Sequence, residues 1–368
     1  MDRETFRKTE ALVDLDAIRD NYALACKLAP QSRNIAVIKA DAYGHGMLRV
    51  AEALQSVVPA FAVAILDEAL ELRDAGISKP LLVLEGVNSV EACETAAAND
   101  LWLVVHSHEQ VSALLQAHLT APVPVWLKVD TGMHRLGLSP DDLKPVLDRL
   151  HAGDREVSVL FTHLACADDL ASDATSEQIE IFLACASGQG LPLSISNSAG
   201  ILAWPESHAD WNRPGYMLYG CTPMTTDIES ASGLRSAMTL RSEIIAIREV
   251  SADESVGYGA RWTARRPSTI ATVAAGYADG YPRHAPDGTP TLVHGQVAPL
   301  VGTVSMDMIT LDLTEHEKVA VGDSVELWGR GVTVNEVAAR CGTIGYELLT
   351  GVSSRLPRTY HGCASQYE

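Results

Sequence analysis

At 368 residues the chain is long enough for one large barrel or for two domains that each bury a core, and two domains are expected. Its 28 Lys+Arg against 47 Asp+Glu leave a formal charge of -19, which opposes non-specific binding to nucleic acid or an anionic membrane. A small-molecule substrate is favoured instead, with any anionic group met by locally placed cations. Seven cysteines, at 26, 93, 166, 185, 221, 341 and 363, are odd in number and form no CxxC pair, which suits a reducing cytosol. The first ten residues lack the apolar core of a signal peptide and no apolar run reaches membrane-spanning length. The expectation is a soluble, cytoplasmic protein.

From residue 11 onward short apolar runs alternate with amphipathic segments. Strands are predicted over 35–38, 61–65, 81–84, 101–105, 123–129, 157–162 and 193–196. Helices are predicted between them, over 15–28, 47–57, 66–75, 89–98, 109–118, 143–150 and 176–187. This alternation predicts a parallel sheet in an α/β fold, and a closed (β/α)8 barrel of the TIM type fits better than an open sheet because no GxGxxG turn marks a dinucleotide crevice. In such a barrel the loops after the strand ends form the active face.

The first of these exits is Ala36-Val-Ile-Lys-Ala-Asp-Ala-Tyr-Gly-His-Gly46. A lone lysine at a strand end is usually solvated, but Lys39 leaves an apolar run, and partial loss of solvation lowers an amine's pKa and frees it to act as nucleophile or base. Such lysines form Schiff bases. Gly44 and Gly46 allow close approach of the backbone to a bound group, and amides at the following helix start can take a phosphate's charge. An imine-forming lysine beside a phosphate site points to pyridoxal 5'-phosphate (PLP).

Further exits carry Lys128-Val-Asp-Thr-Gly-Met-His-Arg135, with a guanidinium fork suited to a carboxylate or phenolate, and Phe161-Thr-His163. Read alone, the first is a surface charge cluster and the second a core histidine. His106 and His108 lack a nearby third metal ligand, so no metal is expected. Ser196-Asn-Ser-Ala-Gly200 and Arg213-Pro-Gly-Tyr216 follow late strands, where barrels commonly bind phosphate; the former also reads as a plain N-cap. Near residue 234 the alternation stops. Strands are predicted over 244–250, 268–275, 291–293, 297–304, 308–313 and 324–328, with one helix over 334–340, so residues 1–233 are expected to form the barrel domain and 234–368 a C-terminal, mostly β domain. Tyr258, between Gly257 and Gly259, is by itself a turn residue, and as an acid or base it needs cationic or hydrogen-bonding neighbours to shift its pKa from near 10.

The first string closely resembles the PLP-attachment signature of the alanine racemase family, and the resemblance extends through the other motifs over almost the whole chain. It implies that Lys39 carries the cofactor as an imine and that Tyr43, Asn197, Ser198, Gly215 and Tyr216 belong to its binding site, most of them at the phosphate. It sets Arg213 against the pyridine nitrogen, as a partner that keeps its proton and leaves the ring a weaker electron sink. Arg135 then binds cofactor and substrate, His163 bonds both the cofactor's arginine and the catalytic tyrosine, and some members carry a carbamylated lysine at the position of Lys128. Tyr258 corresponds to a tyrosine that reaches the partner subunit's site in a homodimer. Tyr277 and Arg283, in Gly276-Tyr-Ala-Asp-Gly-Tyr-Pro-Arg283, line the path by which substrate enters, and Met306 and Asp307, in Val304-Ser-Met-Asp-Met308, lie at the substrate. The implied activity is two-base interconversion of L- and D-alanine by Lys39 and Tyr258, for peptidoglycan or alanine catabolism. Ser354 stands where some members have a pocket-narrowing tyrosine, which implies additional turnover of serine. Alternatives are a broad-specificity or serine racemase, a PLP-dependent decarboxylase of the same architecture, and a non-catalytic PLP-carrier barrel.

Overall fold

The computed structural model describes residues 7–362; the N-terminal residues 1–6 read for a signal sequence, and Cys363, lie outside them. The chain forms two units, one of residues 18–42 and 47–234, the other of residues 7–17, 43–46 and 235–362. The division after Leu234 lies one residue beyond the expected boundary. The larger difference is that residues 7–17 and 43–46 do not belong with the barrel, where 1–233 had been read as one domain. The reason is strand pairing: β1 (Glu10–Asp14), which lay outside the predicted strands, hydrogen-bonds into the sheet of the other unit.

The barrel unit contains β2 (Arg33–Asn34), β3 (Ala36–Val37), β4 (Phe61–Val63), β5 (Leu81–Val83), β6 (Leu101–Val105), β7 (Val125–Lys128), β8 (Val157–Phe161), β9 (Leu193–Ser194) and β10 (Trp211–Asn212). All neighbours run parallel, in the order β2-β10-β9-β8-β7-β6-β5-β4-β3. Since β2 and β3 flank the single residue Ile35, the ring closes on itself. The amides of Arg33, Ile35 and Val37 bond the carbonyls of Asp210, Asn212 and Pro214, whereas those of Ala36 and Ile38 bond Ala60 and Ala62. One strand thus joins the last to the second. The sequences Phe-Ala-Val, Leu-Leu-Val and Val-Trp-Leu-Lys of β4, β5 and β7 are buried throughout, as befits strands covered on both faces. Around them lie α1 (Leu15–Leu28), α2 (Lys39–Gly44), α3 (Met47–Leu54), α4 (Leu66–Asp74), α5 (Val90–Ala98), α6 (His108–Gln116), α7 (Leu143–Ala152), α8 (Ala174–Ala186) and α9 (Ser198–Ala203). Ser89, Ser107 and Asn197 cap α5, α6 and α9 by accepting an amide N–H three residues on.

In the other unit β11 (Met238–Val250) is the spine. Its buried residues alternate, at Met238, Leu240, Ser242 and Ile244, and a register shift between Ile244 and Ala246 marks a bulge within its pairing to the strand over Ser268–Val273. It pairs with β1, with β14 (Ser268–Val273) and with β18 (Ser324–Trp328). Short strands β12 (Ser255–Val256), β13 (Trp262–Thr263), β15 (Pro290–Val293), β16 (Gln296–Pro299), β17 (Ile309–Asp312) and β19 (Arg358–His361) complete it, with two helices, α10 (Val334–Arg340) and α11 (Gly345–Thr350), where one had been predicted. Among the described residues no helix is long and apolar enough to cross a membrane.

Candidate active site at the strand exits of the barrel

Lys39 follows β3 and begins α2, whose backbone is left-handed: φ is 53°, 52°, 53° and 52° at Ala40, Asp41, Ala42 and Tyr43. Each such non-glycine residue costs about 1–2 kcal/mol. Specific bonds offset this cost: Ala42 N–H donates to the Ile38 carbonyl (2.8 Å), Ala40 N–H to Glu68 (2.6 Å) and Met47 N–H to Asp41 (2.7 Å). Through the last bond Asp41, within the chain, takes the first of the amides that open α3. Gly44 and Gly46 likewise accommodate protein rather than ligand: a Cβ at Gly44 would strike the Leu349 carbonyl oxygen, and one at Gly46 the Tyr360 hydroxyl. The Lys39 amine has no hydrogen-bond partner among the described residues, and its pKa is lowered, first by burial and then by Arg135, with Glu85 and Glu68 opposing.

Lys128 ends β7 and is buried, 5.9 Å over the Phe161 ring. Burial, then Arg135 and Arg213, push its pKa down to about 8. The loop beyond it is curled by one carboxylate: Asp130 Oδ1 accepts from the amides of Gly132, Met133 and His134. Asp130 N–H bonds the Leu138 carbonyl and Leu138 N–H the Lys128 carbonyl, closing the loop at its base. Arg135 is thereby exposed on the loop, its guanidinium without a hydrogen-bond partner among the described residues.

Arg213 is buried and lies 5.0 Å over Phe161. Its guanidinium donates to the carbonyls of Thr162 (2.7 Å) and Ile195 (3.0 Å), to the Ser194 hydroxyl and to His163 Nδ1 (3.4 Å). Burial pushes its pKa down to about 9, still charged at neutral pH. An arginine only donates, so the His163 Nδ1 it meets is the bare nitrogen and Nε2 carries the proton. The neutral ring agrees with a pKa held well below the usual histidine value by burial, followed by Arg213, Lys128, Arg135 and Lys39. That order also shows that all four cations act on one histidine.

At the exits of β9 and β10, the Ser198 hydroxyl accepts from the amides of Gly215 (3.0 Å) and Met217 (3.3 Å). With both lone pairs engaged, its proton is left to donate to an anion. Tyr216 lies buried between those two amides, and Asn197 ties Gly200 N–H and the Leu164 carbonyl together. His106 and His108 turn to different partners, the Glu85 carbonyl and Asp142, and no group of three metal-ligating side chains occurs among the described residues.

In the second unit Tyr43 is buried, its ring 6.0 Å from that of Tyr346. Tyr258 stands in a turn between two glycines of positive φ and is 73 % exposed. Tyr277, Met306 and Asp307 are brought together by backbone pairing, Tyr277 N–H to Ser305 and Ala278 N–H to Met306, and by the fully buried Asp279. Asp279 accepts from Arg7 and from Arg355, which also reaches Asp307. Arg283 is exposed nearby in sequence. Asp279 and the amide side chains of Gln110 and Gln178, which tie neighbouring strand exits, carried no expectation from sequence. Asp279 lay inside a quoted motif, and the two glutamines lay on predicted helices with no signal but their type.

The barrel set fits PLP: an amine shifted toward its neutral form, a guanidinium fork with no hydrogen-bond partner among the described residues, a hydroxyl with only its proton to give, and a cluster of cations within an acidic protein. The whole chain agrees. Residues 13–223 match the alanine racemase N-terminal domain and residues 237–360 the alanine racemase C-terminal domain. The chain belongs to the alanine racemase family. It is 51 % identical over 350 residues to the alanine racemase of Chromohalobacter salexigens, covering 95 % of this chain and 96 % of that one. The crystal structure of the biosynthetic alanine racemase from Pseudomonas aeruginosa superimposes with a TM-score of 0.93 at 49 % identity, covering 97 % of this chain and all of that one. The alanine racemase from Bartonella henselae, solved with covalently bound pyridoxal phosphate, aligns at 30 % identity and a TM-score of 0.88 over 96 % of this chain and 99 % of its own. Both domains of the alanine racemase family are therefore present.

Proposed function

We propose that the protein interconverts L- and D-alanine with PLP, as a cytoplasmic homodimer in which each site is completed by the other subunit. The observation that carries this reading is the family match over both domains, and the Lys39 amine, without a hydrogen-bond partner among the described residues and within the cluster of Arg135, Lys128, His163 and Arg213, supports it. Bound PLP would supply an electron-withdrawing ring that makes the Cα–H of an attached amino acid acidic.

The chain's residues then divide the work. Lys39 holds the cofactor and moves the α-proton on one face, and its lowered pKa leaves more of the amine free to accept it. Tyr43, Ser198, Gly215 and Tyr216 would hold the phosphate, with Asn197 at the same binding site, and Arg213 would partner the ring nitrogen without giving up its proton. Arg135 orients the carboxylate or phenolate oxygen. The partner subunit's Tyr258 moves the proton on the opposite face, steadied by the Nε2–H of His163. Tyr277, Met306 and Asp307 line the substrate side. The exposure of Tyr258 in the single chain supports a reading in which another subunit covers it.

Incubation with L-alanine should give D-alanine by chiral chromatography, and carbon dioxide release in its place would identify a decarboxylase. Tyr258→Phe should keep the cofactor's visible absorbance and slow both directions about 10²–10⁴-fold. A fully active variant would remove Tyr258 from the mechanism. In the same assay L-serine should turn over measurably, because Ser354 leaves room that a tyrosine would fill; no detectable product would refute that.

Lys128, with its pKa near 8, has neutral amine available for carbon dioxide at physiological pH. A carbamate there would place a negative charge beside Arg135 and Arg213 and relieve the crowding of cations. Protein equilibrated with carbon-13 bicarbonate should show one carbamate resonance that is missing in Lys128→Ala; an identical spectrum from the variant would overturn the assignment.

A further inference from the structure

Three side chains at the strand exits follow one plan. Glu68 on α4 takes Ala40 N–H (2.6 Å) after β3 and Ala64 N–H (2.8 Å) after β4. Gln110 on α6 donates to the Glu85 carbonyl (2.9 Å) after β5 and accepts from His106 N–H (2.9 Å) after β6. Gln178 on α8 donates to Thr131 (3.3 Å) beyond β7 and to the His163 carbonyl (3.1 Å) after β8, where it also accepts from Ala165 N–H (2.8 Å). Each spans two adjacent exits from the helix that follows the second strand. The choice of acid or amide follows the groups clamped. Gln110 and Gln178 each meet an N–H together with an acceptor, which an amide matches, whereas Glu68 meets an N–H with each oxygen, which only a carboxylate matches.

Glu68 faces two donors because the chain turns left-handed directly after Lys39, with Ala40 at φ 53°. We propose that Glu68 is a positioning residue for the reaction: by holding the Ala40 amide to the exit of β4, it fixes the strained turn on which the Lys39 amine is mounted. Its charge also faces that amine and, with Glu85, opposes the effect of burial and Arg135. This rests on Lys39 being the reactive amine of the proposed function.

The test compares holoenzyme of the parent protein, Glu68→Gln and Glu68→Asp. In Glu68→Gln an amide NH₂ must face one of the two N–H groups. The peptide containing Ala40 should exchange its amide hydrogens about tenfold faster, kcat should fall about 10–100-fold with KM within about threefold, and the alkaline limb of kcat against pH should shift. Glu68→Asp keeps the charge but is one methylene short, so kcat should fall with the pH profile unmoved. Unchanged exchange in Glu68→Gln, or faster exchange with kcat and its pH profile intact, overturns the proposal. Should Glu68→Gln not fold, parental kcat in Glu68→Asp overturns it and reduced kcat at an unmoved pH profile supports it. An inactive parent protein would refute the proposed function itself, while the exchange comparison would still test the clamp.

Discussion

Lys39→Ala is expected to lower racemisation at least about 10⁴-fold and to leave the fold intact. The two effects separate because the Lys39 amine carries no hydrogen bond among the described residues, and its lowered pKa shows that the folded protein disfavours its charge. The turn around it is held by backbone groups and by Glu68 and Asp41, none of which the substitution removes. Circular dichroism and the melting temperature should match the parent protein. Borohydride should no longer fix cofactor absorbance to the chain. Activity above about one per cent of the parent's would show that another group carries the proton.

The second large effect is on stability. Asp279 is fully buried and bonded by Arg7, Arg355 and the Gly276 amide. Burial alone would raise its pKa, but hydrogen bonds from Arg7 and Arg355 outweigh it and hold the carboxyl below the usual range. A carboxyl whose folded pKa is depressed stabilises the fold at pH above its unfolded pKa, near 3.9, and that contribution is lost as pH falls through the folded value. Asp279→Asn should cost about 2–4 kcal/mol, below the full effect of breaking a buried pair because both arginines are partly exposed. Denaturant melts at pH 7 measure the loss, and the difference between variant and parent should shrink under strongly acidic conditions. A gap that is constant with pH would assign the loss to packing. KM should rise too, since Arg355 ties Asp279 to Asp307.

Much of the barrel was legible because a strand buried on both faces is a continuous apolar run, and because the candidate site residues stand at the ends of such runs, as at Lys39, Lys128 and His163. Strand β10 went unread because its two residues, Trp211–Asn212, are too short for any period. β1 alternates but leads straight into α1, so nothing local tells that it pairs with β11 and β19, more than two hundred residues away in sequence. The glycines of the Lys39 loop were read as room for a ligand, although only the fold shows that the atoms needing the room are those of Leu349 and Tyr360. Glu68 was invisible for a similar reason: the donors it satisfies come from an unusual backbone turn, and side-chain type alone does not announce that geometry.

The stretch leading into Lys39 is also the seam of the barrel, with the amides of 33, 35 and 37 engaged by the last strand and those of 36 and 38 by the second. A growing polypeptide released only as far as residue 200 would leave the first three of these amides unanswered. Lys39 is therefore among the earliest parts to be synthesised and among the last to acquire its setting. Competence to capture the coenzyme should arrive abruptly, with closure of the ring, rather than accumulate as successive βα pairs are added.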